Sequence, residues 1–183
     1  MLEILQKRTA GTTPCLRRDL LTSAAAILVA GLWPQRASAT DVQKEWASCA
    51  KCRTIYFDGF SNKGHCAAGG AHSSGQTRVQ LPFNTSTGPR AQDNWHFCNK
   101  CNALFFNGFS DKGVCPGGDG GHRAQGINFV LTHSVPENFT GFRFCSKCHA
   151  LFQPGQGRCP KGENHAAAGF IFFLNDEKSQ IID

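Results

Sequence analysis

The sequence predicts an all-β protein built of three contiguous repeats, and three observations predict it. Apolar residues after position 45 fall in short runs of Phe, Val, Ile and Leu. These have strand length, and no stretch of 40–183 carries a long 3.6-residue periodicity. The runs are punctuated by glycine-rich segments such as Ala68-Gly69-Gly70 and Pro116-Gly117-Gly118, which are turn material. Finally, one pattern of Cys and His occurs three times with periods of 49 and 47 residues, the mark of a repeat architecture.

Taken in chain order, residues 1–39 read as an export signal rather than as part of the fold. Arg17 and Arg18 precede an apolar run from Leu20 to Trp33, and Ala37-Ser38-Ala39 offers small residues for cleavage before Thr40. The pair followed by Leu20-Leu21 resembles a twin-arginine signal, with a general secretory signal as the alternative. The run is short for a membrane span, so no membrane anchor is expected after cleavage. The expected location is periplasmic or secreted. Export of an already folded chain suits a protein with many reduced thiols, since unfolded export exposes them to an oxidising space.

The repeats are expected at 40–83, 84–133 and 134–183. Their candidate metal ligands are Cys49, Cys52, Cys66 and His72, then Cys98, Cys101, Cys115 and His122, then Cys145, Cys148, Cys159 and His165. Each copy is a C-x2-C pair, a third Cys 11 to 14 positions on, and a His six or seven positions later. Three thiolates and one imidazole form a complete tetrahedral set for zinc, leaving no position for substrate. Three structural Zn²⁺ ions are therefore the expected cofactors. Cys15 leaves with the signal, and the nine remaining cysteines are an odd number that disulfides alone cannot pair.

The copies align beyond these ligands. Trp46, Trp95 and Phe142 each stand three residues before the first Cys, and Ile55-Tyr56-Phe57, Leu104-Phe105-Phe106 and Leu151-Phe152-Gln153 follow the pair. Between Cys49 and Cys66, ten of eighteen positions are identical in the second copy. Each C-x2-C thus sits between an aromatic entry strand and an apolar exit strand, as in a zinc-knuckle hairpin. Two assemblies fit. Three beads would need linkers, for which Asn84 to Asp93 and Ser134 to Gly141 are candidates. Alternatively, three units of about 48 residues, too small to fold readily alone, close into one pseudo-threefold, β-trefoil-like domain with a shared core. The Phe-rich composition favours the closed form. In either case a structural zinc contributes on the order of 10 kcal/mol per site, which offsets the backbone entropy of so many glycines.

The run W-x2-C-x2-C-x2-L-F-F, then G-x-C-P, a Gly-rich turn and a His, resembles an exported tandem-repeat family of bacteria and fungi with no established activity. The likeness spans residues 46 to about 175 and is closest in the second copy, Trp95 to Leu131. The first copy has Ala67 where Pro116 and Pro160 stand, and the third lacks three residues of the middle loop.

Function is bounded by what is missing. Without residues 1–39 the chain keeps 14 basic and 11 acidic residues, or +3, and a net −1 at each Cys3His zinc site brings this near zero. No Lys/Arg block tracks a phosphate backbone, so nucleic acid is not an expected partner. No nucleophile elbow, phosphate loop or paired carboxylate motif is visible, and a non-enzymatic protein is expected. A thiol–disulfide redox protein using the C-x2-C pairs is the alternative. The remaining class is a binding module for carbohydrate or protein. Its candidate residues lie in the loop between the second and third Cys: Asp58, Phe60 and Lys63, with Asn107, Phe109 and Lys112 in the second copy. An aromatic beside polar groups on a tight turn suits such ligands, although the favoured place for Phe60 and Phe109 is as plugs of the interface between copies.

Overall fold

The computed structural model describes residues 40–133 and 141–178. The expected export signal, 1–39, lies outside the described residues, as does most of the second candidate linker. The first copy supplies β1 (Asp41–Cys49), β2 (Ile55–Phe57) and β3 (Ser74–Phe83). The second supplies β4 (Ala91–Cys98), β5 (Leu104–Phe106) and β6 (Ala124–His133). The third supplies β7 (Phe142–Cys145), β8 (Leu151–Phe152), β9 (Ala167–Phe173) and β10 (Asn175–Asp176). The protein is all-β, with no helix among the described residues, and all ten strands belong to one antiparallel sheet.

The entry strands of the first two copies each slip register twice, the first time between Gln43 and Trp46 in β1 and between Gln92 and Trp95 in β4. Glu45 and Asn94 occupy left-handed backbone there, at φ 68° and 63°. Such a bulge re-aims the following side chain, and Trp46 and Trp95 are fully buried. Their indole N–H groups donate to Gln43 Oε1 at 3.0 Å and Gln92 Oε1 at 3.2 Å, so neither Trp buries an unpaired donor. The C-x2-C turn then reverses the chain onto the exit strand, pairing Trp46 with Phe57 and Trp95 with Phe106.

Exit strands alternate as a pleat requires. Ile55, Leu104 and Leu151 enter the main core, whereas Tyr56, Phe105 and Phe152 pack among the cysteines. The main core is common to all three copies. Trp46, Val79 and Leu81 meet Trp95, Phe129 and Leu131, together with Leu151 and Phe172. The indole of Trp46 stands edge-on to Phe129 at 5.3 Å, and that of Trp95 to Phe172 at 4.9 Å.

The copies close on one another cyclically. Phe57 N–H donates to Asn102 C=O, Phe106 N–H to His149 C=O, and Gln153 N–H to Arg53 C=O, at 2.9, 3.0 and 2.9 Å. Single bridges repeat the cycle: Tyr56 with Ala103, Phe105 with Ala150, and Phe152 with Thr54. At the other end of the copies, β3 pairs β6 at Phe83 and Phe129, β6 pairs β9 at Thr132 and Phe173, and β10 returns to β3 at Asn175 and Gln80. The first candidate linker is partly absorbed, since Ala91–Asp93 already belongs to β4. These pairings show three copies in a cycle around one core, and they do not show a trefoil.

Candidate metal centres

The chain builds each centre from two turns held by backbone bonds. In the first turn Cys49 N–H donates to Thr54 C=O, and Arg53 N–H donates back to Cys49 C=O, both at 2.9 Å. The same pairs recur at Cys98/Ala103 and Asn102/Cys98, and at Cys145/Ala150 and His149/Cys145. In the glycine-rich second turn, Cys66 N–H donates to Gly70 C=O and Cys159 N–H to Glu163 C=O. Two tight turns facing each other bring four ligand side chains to one point.

Each of the three expected ligand sets is gathered, with all ligand atoms of a set within 4.8 Å of one another. Cys49 and Cys66 sulfurs lie 3.8 Å apart, Cys98 and Cys115 3.8 Å, and Cys145 and Cys159 4.0 Å. The Cys52, Cys101 and Cys148 sulfurs lie 3.5, 3.4 and 3.5 Å from the Nδ1 atoms of His72, His122 and His165. A tetrahedron with metal–sulfur bonds of about 2.3 Å and metal–nitrogen bonds of about 2.0 Å has edges of about 3.8 and 3.5 Å. The spacing therefore fits one metal ion per set. It is far too wide for disulfides, which need sulfurs about 2.0 Å apart, and all nine cysteines are unpaired. All twelve ligand residues are buried except His165, which is half-buried.

The electrostatics favour a cation at each point. Burial alone opposes a charged imidazole at His72, but the Cys49 and Cys66 thiolates outweigh it and push its pKa up to about 9. His122 and His165 are likewise raised to about 9, with burial again opposed by their own Cys thiolates. Within each C-x2-C pair the first Cys is pushed below the ordinary thiol range by hydrogen bonds from its companion sulfurs. The second is pushed above it by hydrogen bonding and repulsion from the same sulfurs, with burial adding to the rise. Three sulfurs this close cannot all ionise without a compensating positive charge. Backbone amides supply part of it: Ala68 N–H faces Cys66 Sγ, Gly117 N–H faces Cys115 Sγ, and Arg123 N–H faces Cys98 Sγ, each at 3.4 Å.

The outer imidazole nitrogens tie the centres together. With Nδ1 turned to the thiolates, Nε2–H is left to donate. His72 Nε2 lies 3.1 Å from Cys101 C=O, and His165 Nε2 lies 3.0 Å from Cys52 C=O. In both cases the acceptor is a ligand residue of the neighbouring centre. The third link of this cycle is missing, because His122 Nε2 is buried without a partner. The turn from Cys115 to His122 carries one more residue than its two counterparts, the one difference in spacing that sets this histidine apart.

Two repeated features escaped the sequence reading. Lys51, Lys100 and Lys147 stand at the same place inside each C-x2-C, and their ammonium groups donate to carbonyls of the glycine-rich turn at Gly69, Asp119 and Gly162, each at 2.7 Å. They close the two turns of each centre on each other. Their identity in all three copies was the available signal. Tyr56, Phe105 and Phe152 stack on the ligand imidazoles at 4.6, 4.8 and 4.6 Å, which holds each ring in its ligating plane.

The loop candidates are placed less uniformly. The Asp58 carboxylate accepts from Tyr56 OH at 2.8 Å and Ser74 OH at 2.7 Å, and pairs with Lys63 at 3.0 Å and Arg78 at 2.8 Å. Burial would raise its pKa, but these donors together hold it down, at about 2. Lys63 also donates to the Asp58 carbonyl, and Lys112 donates to the Asn107 carbonyl at 2.7 Å. Asp58, Lys63 and Lys112 thus serve the loop's own structure, with the Asn107 main chain. Phe60 and Phe109 are each 51 % exposed and yet lean on the next copy, at 5.8 Å from Phe97 and 6.0 Å from Phe144. Among the described residues no helix is long and apolar enough to cross a membrane.

No family model matches the chain, and no curated protein or solved structure is similar to it.

Proposed function

We propose that this chain is an exported, non-catalytic recognition module whose three Cys3His sets hold structural Zn²⁺. In this reading it works in the periplasm or outside the cell on a carbohydrate or protein partner. The observation that carries the reading is the closed geometry of the centres. All four positions of each tetrahedron belong to the chain, eleven of the twelve ligand residues are buried, and the outer nitrogens of His72 and His165 donate to backbone carbonyls. A catalytic zinc keeps a position open for water or substrate, and a redox pair needs one exposed, activated thiol. Thiolate ligands and a tetrahedral site favour zinc over harder ions.

Elemental analysis of the mature protein, purified without chelator and paired with a free-thiol count after unfolding, tests this. Near three zinc ions per chain and nine reduced thiols are expected. A metal-free protein with oxidised C-x2-C pairs would overturn the reading in favour of thiol–disulfide chemistry.

A further inference from the structure

The cyclic arrangement creates three seams, and an open groove lies on each. They overlap only in part and differ in lining and chemistry. At the seam of the first and second copies the groove, of ≈ 400 Å³, is lined by Phe60, Asn62, Phe97, Asn99, Asn102 and Gln125. At the next seam Phe144 stands for Phe97, Ser146 for Asn99, His149 for Asn102 and Ala168 for Gln125. That groove, of ≈ 320 Å³, is almost wholly apolar, with Phe106, Phe109 and Phe170 in its wall. At the last seam Ser48, Ala50, Arg53 and Gly75 take those places, and the loop bearing the aromatic is missing. Aromatic rings and uncommitted amides thus meet at one seam of the three, since the second groove keeps only the Gln92 amide, whose Oε1 accepts from the Trp95 indole N–H.

At that seam the Phe60 ring is fixed by nearly perpendicular contacts with Phe57 at 4.8 Å and Phe97 at 5.8 Å, while half of it faces solvent. The Asn102 amide donates to the Asn62 carbonyl at 2.7 Å, and the Asn62 side-chain oxygen accepts from Gly64 N–H at 3.0 Å. Two groove amides are therefore set in orientation by the backbone. The exposed side chains of Asn99 and Gln125 take part in none of the loop's hydrogen bonds and keep both donors and acceptors for a ligand. No lining residue is ionised. A rigid phenyl ring stacks on an apolar ring face, and amides pair with hydroxyls both as donors and as acceptors. A neutral sugar ring presents both.

We infer that the groove between the first and second copies is a subsite for a neutral saccharide, with Phe60 as the platform and Asn99 and Gln125 as hydroxyl partners. This rests on the recognition-module reading above. It also makes the two aromatic loops unequal: the Phe109 groove has no counterpart of the Asn99, Asn102 and Gln125 amides and is not a second copy of the site.

The test is calorimetric titration of the metal-loaded protein with a panel of soluble neutral oligosaccharides of glucose, xylose, mannose and N-acetylglucosamine. Wild type is expected to bind at least one of them. Phe60→Ala and the double variant Asn99→Ala/Gln125→Ala should each weaken that binding by about tenfold or more, while Phe170→Ala leaves it unchanged. Metal content and melting temperature are read on every variant. The double variant removes only exposed amides, so it stays informative if Phe60→Ala misfolds. A sugar bound equally well by wild type and the double variant, or lost on Phe109→Ala instead, overturns the subsite and leaves the module reading standing. A metal-loaded wild type that binds nothing in the panel overturns the subsite and the saccharide half of that reading, which then stands or falls on a protein partner.

Discussion

Replacing Gly113 by alanine tests whether the three copies form one closed unit. Gly113 has φ 65°, and a Cβ built there lies 2.3 Å from the Cys148 carbonyl oxygen and 2.5 Å from its carbon. The residue it meets is a ligand of the third centre, in the next copy along the cycle. The first-copy counterpart, Gly64, meets the Cys101 carbonyl in the same way, at 2.4 Å. Left-handed backbone costs a non-glycine residue about 1–2 kcal/mol, and forcing an overlap onto packed backbone costs about 1–3 kcal/mol more. Gly120 is the control, with φ 77° and nothing within 4 Å of its Cβ, so alanine there costs the backbone part alone. Gly113→Ala should therefore be about 1–3 kcal/mol less stable than Gly120→Ala by urea unfolding, equivalent to a further loss of roughly 3–10 °C in melting temperature. It should also weaken metal retention at the third centre under competition with a chelator, although Gly113 is no ligand. Equal stability and equal metal retention in the two variants would refute the closed cycle and return the copies to beads.

Three further outcomes follow from the same geometry. Cys98→Ser should lower bound metal from three ions per chain to two and destabilise the neighbouring copies as well, read by elemental analysis and thermal unfolding; full metal with an unchanged melting temperature would sink the structural role. Asp58 has a folded pKa of about 2, below its ordinary 3.8, so its contribution is fully present above about pH 5 and is lost as pH falls through the folded value. The stability gap between wild type and Asp58→Asn should then be constant from pH 7 to 5 and narrow below pH 4. Acid release of metal acts on both proteins and cancels in the difference, and a gap that widens in acid contradicts the ion-pair account. Deleting Asp119 shortens the second turn to the length found in the other two copies and should let His122 Nε2 reach the Cys148 carbonyl. Satisfying that buried donor is expected to stabilise by about 1 kcal/mol, and a lower melting temperature for the deletion would show that the extra residue is not what leaves the nitrogen unpartnered.

The ligand sets were legible in the sequence because metal chemistry fixes both residue type and spacing, and three repetitions separate His72, His122 and His165 from His65, His96, His133 and His149. The strands around each C-x2-C were legible for a similar reason: aromatic and β-branched residues cluster at strand length beside glycine turns. Composition pointed to closure around a shared core, but the contacts that close the cycle were not readable. It is closed by backbone groups such as Phe57 N–H and Asn102 C=O, and a backbone hydrogen bond leaves no mark on side-chain identity. The stacking of Tyr56 on His72 was hidden because a three-residue strand shows alternation but not which face the metal takes. Asp58 looked like an outward polar group. Its fate depended on Tyr56, Ser74 and Arg78, which come from the exit strand and the closing strand, and no local pattern links them.

The positions where the first two copies disagree say something about what the frame permits. Cys49, Lys51, Cys52, Gly64 and Cys66 have identical counterparts in the second copy, and each of them touches the metal set, the turn that closes it or the neighbouring backbone. Ala50 against Asn99 and Arg53 against Asn102 differ, and these positions line the grooves. A small β-fold held by its core alone has little stability to spare, and a change at an inter-copy seam would be felt throughout. With a metal ion held in each, the three centres would each contribute on the order of 10 kcal/mol behind the seams. Groove side chains such as Asn99 and Gln125, which make none of the seam's hydrogen bonds, are then free to vary, and one frame can carry a polar, an amide-and-phenyl and an apolar groove in the same molecule.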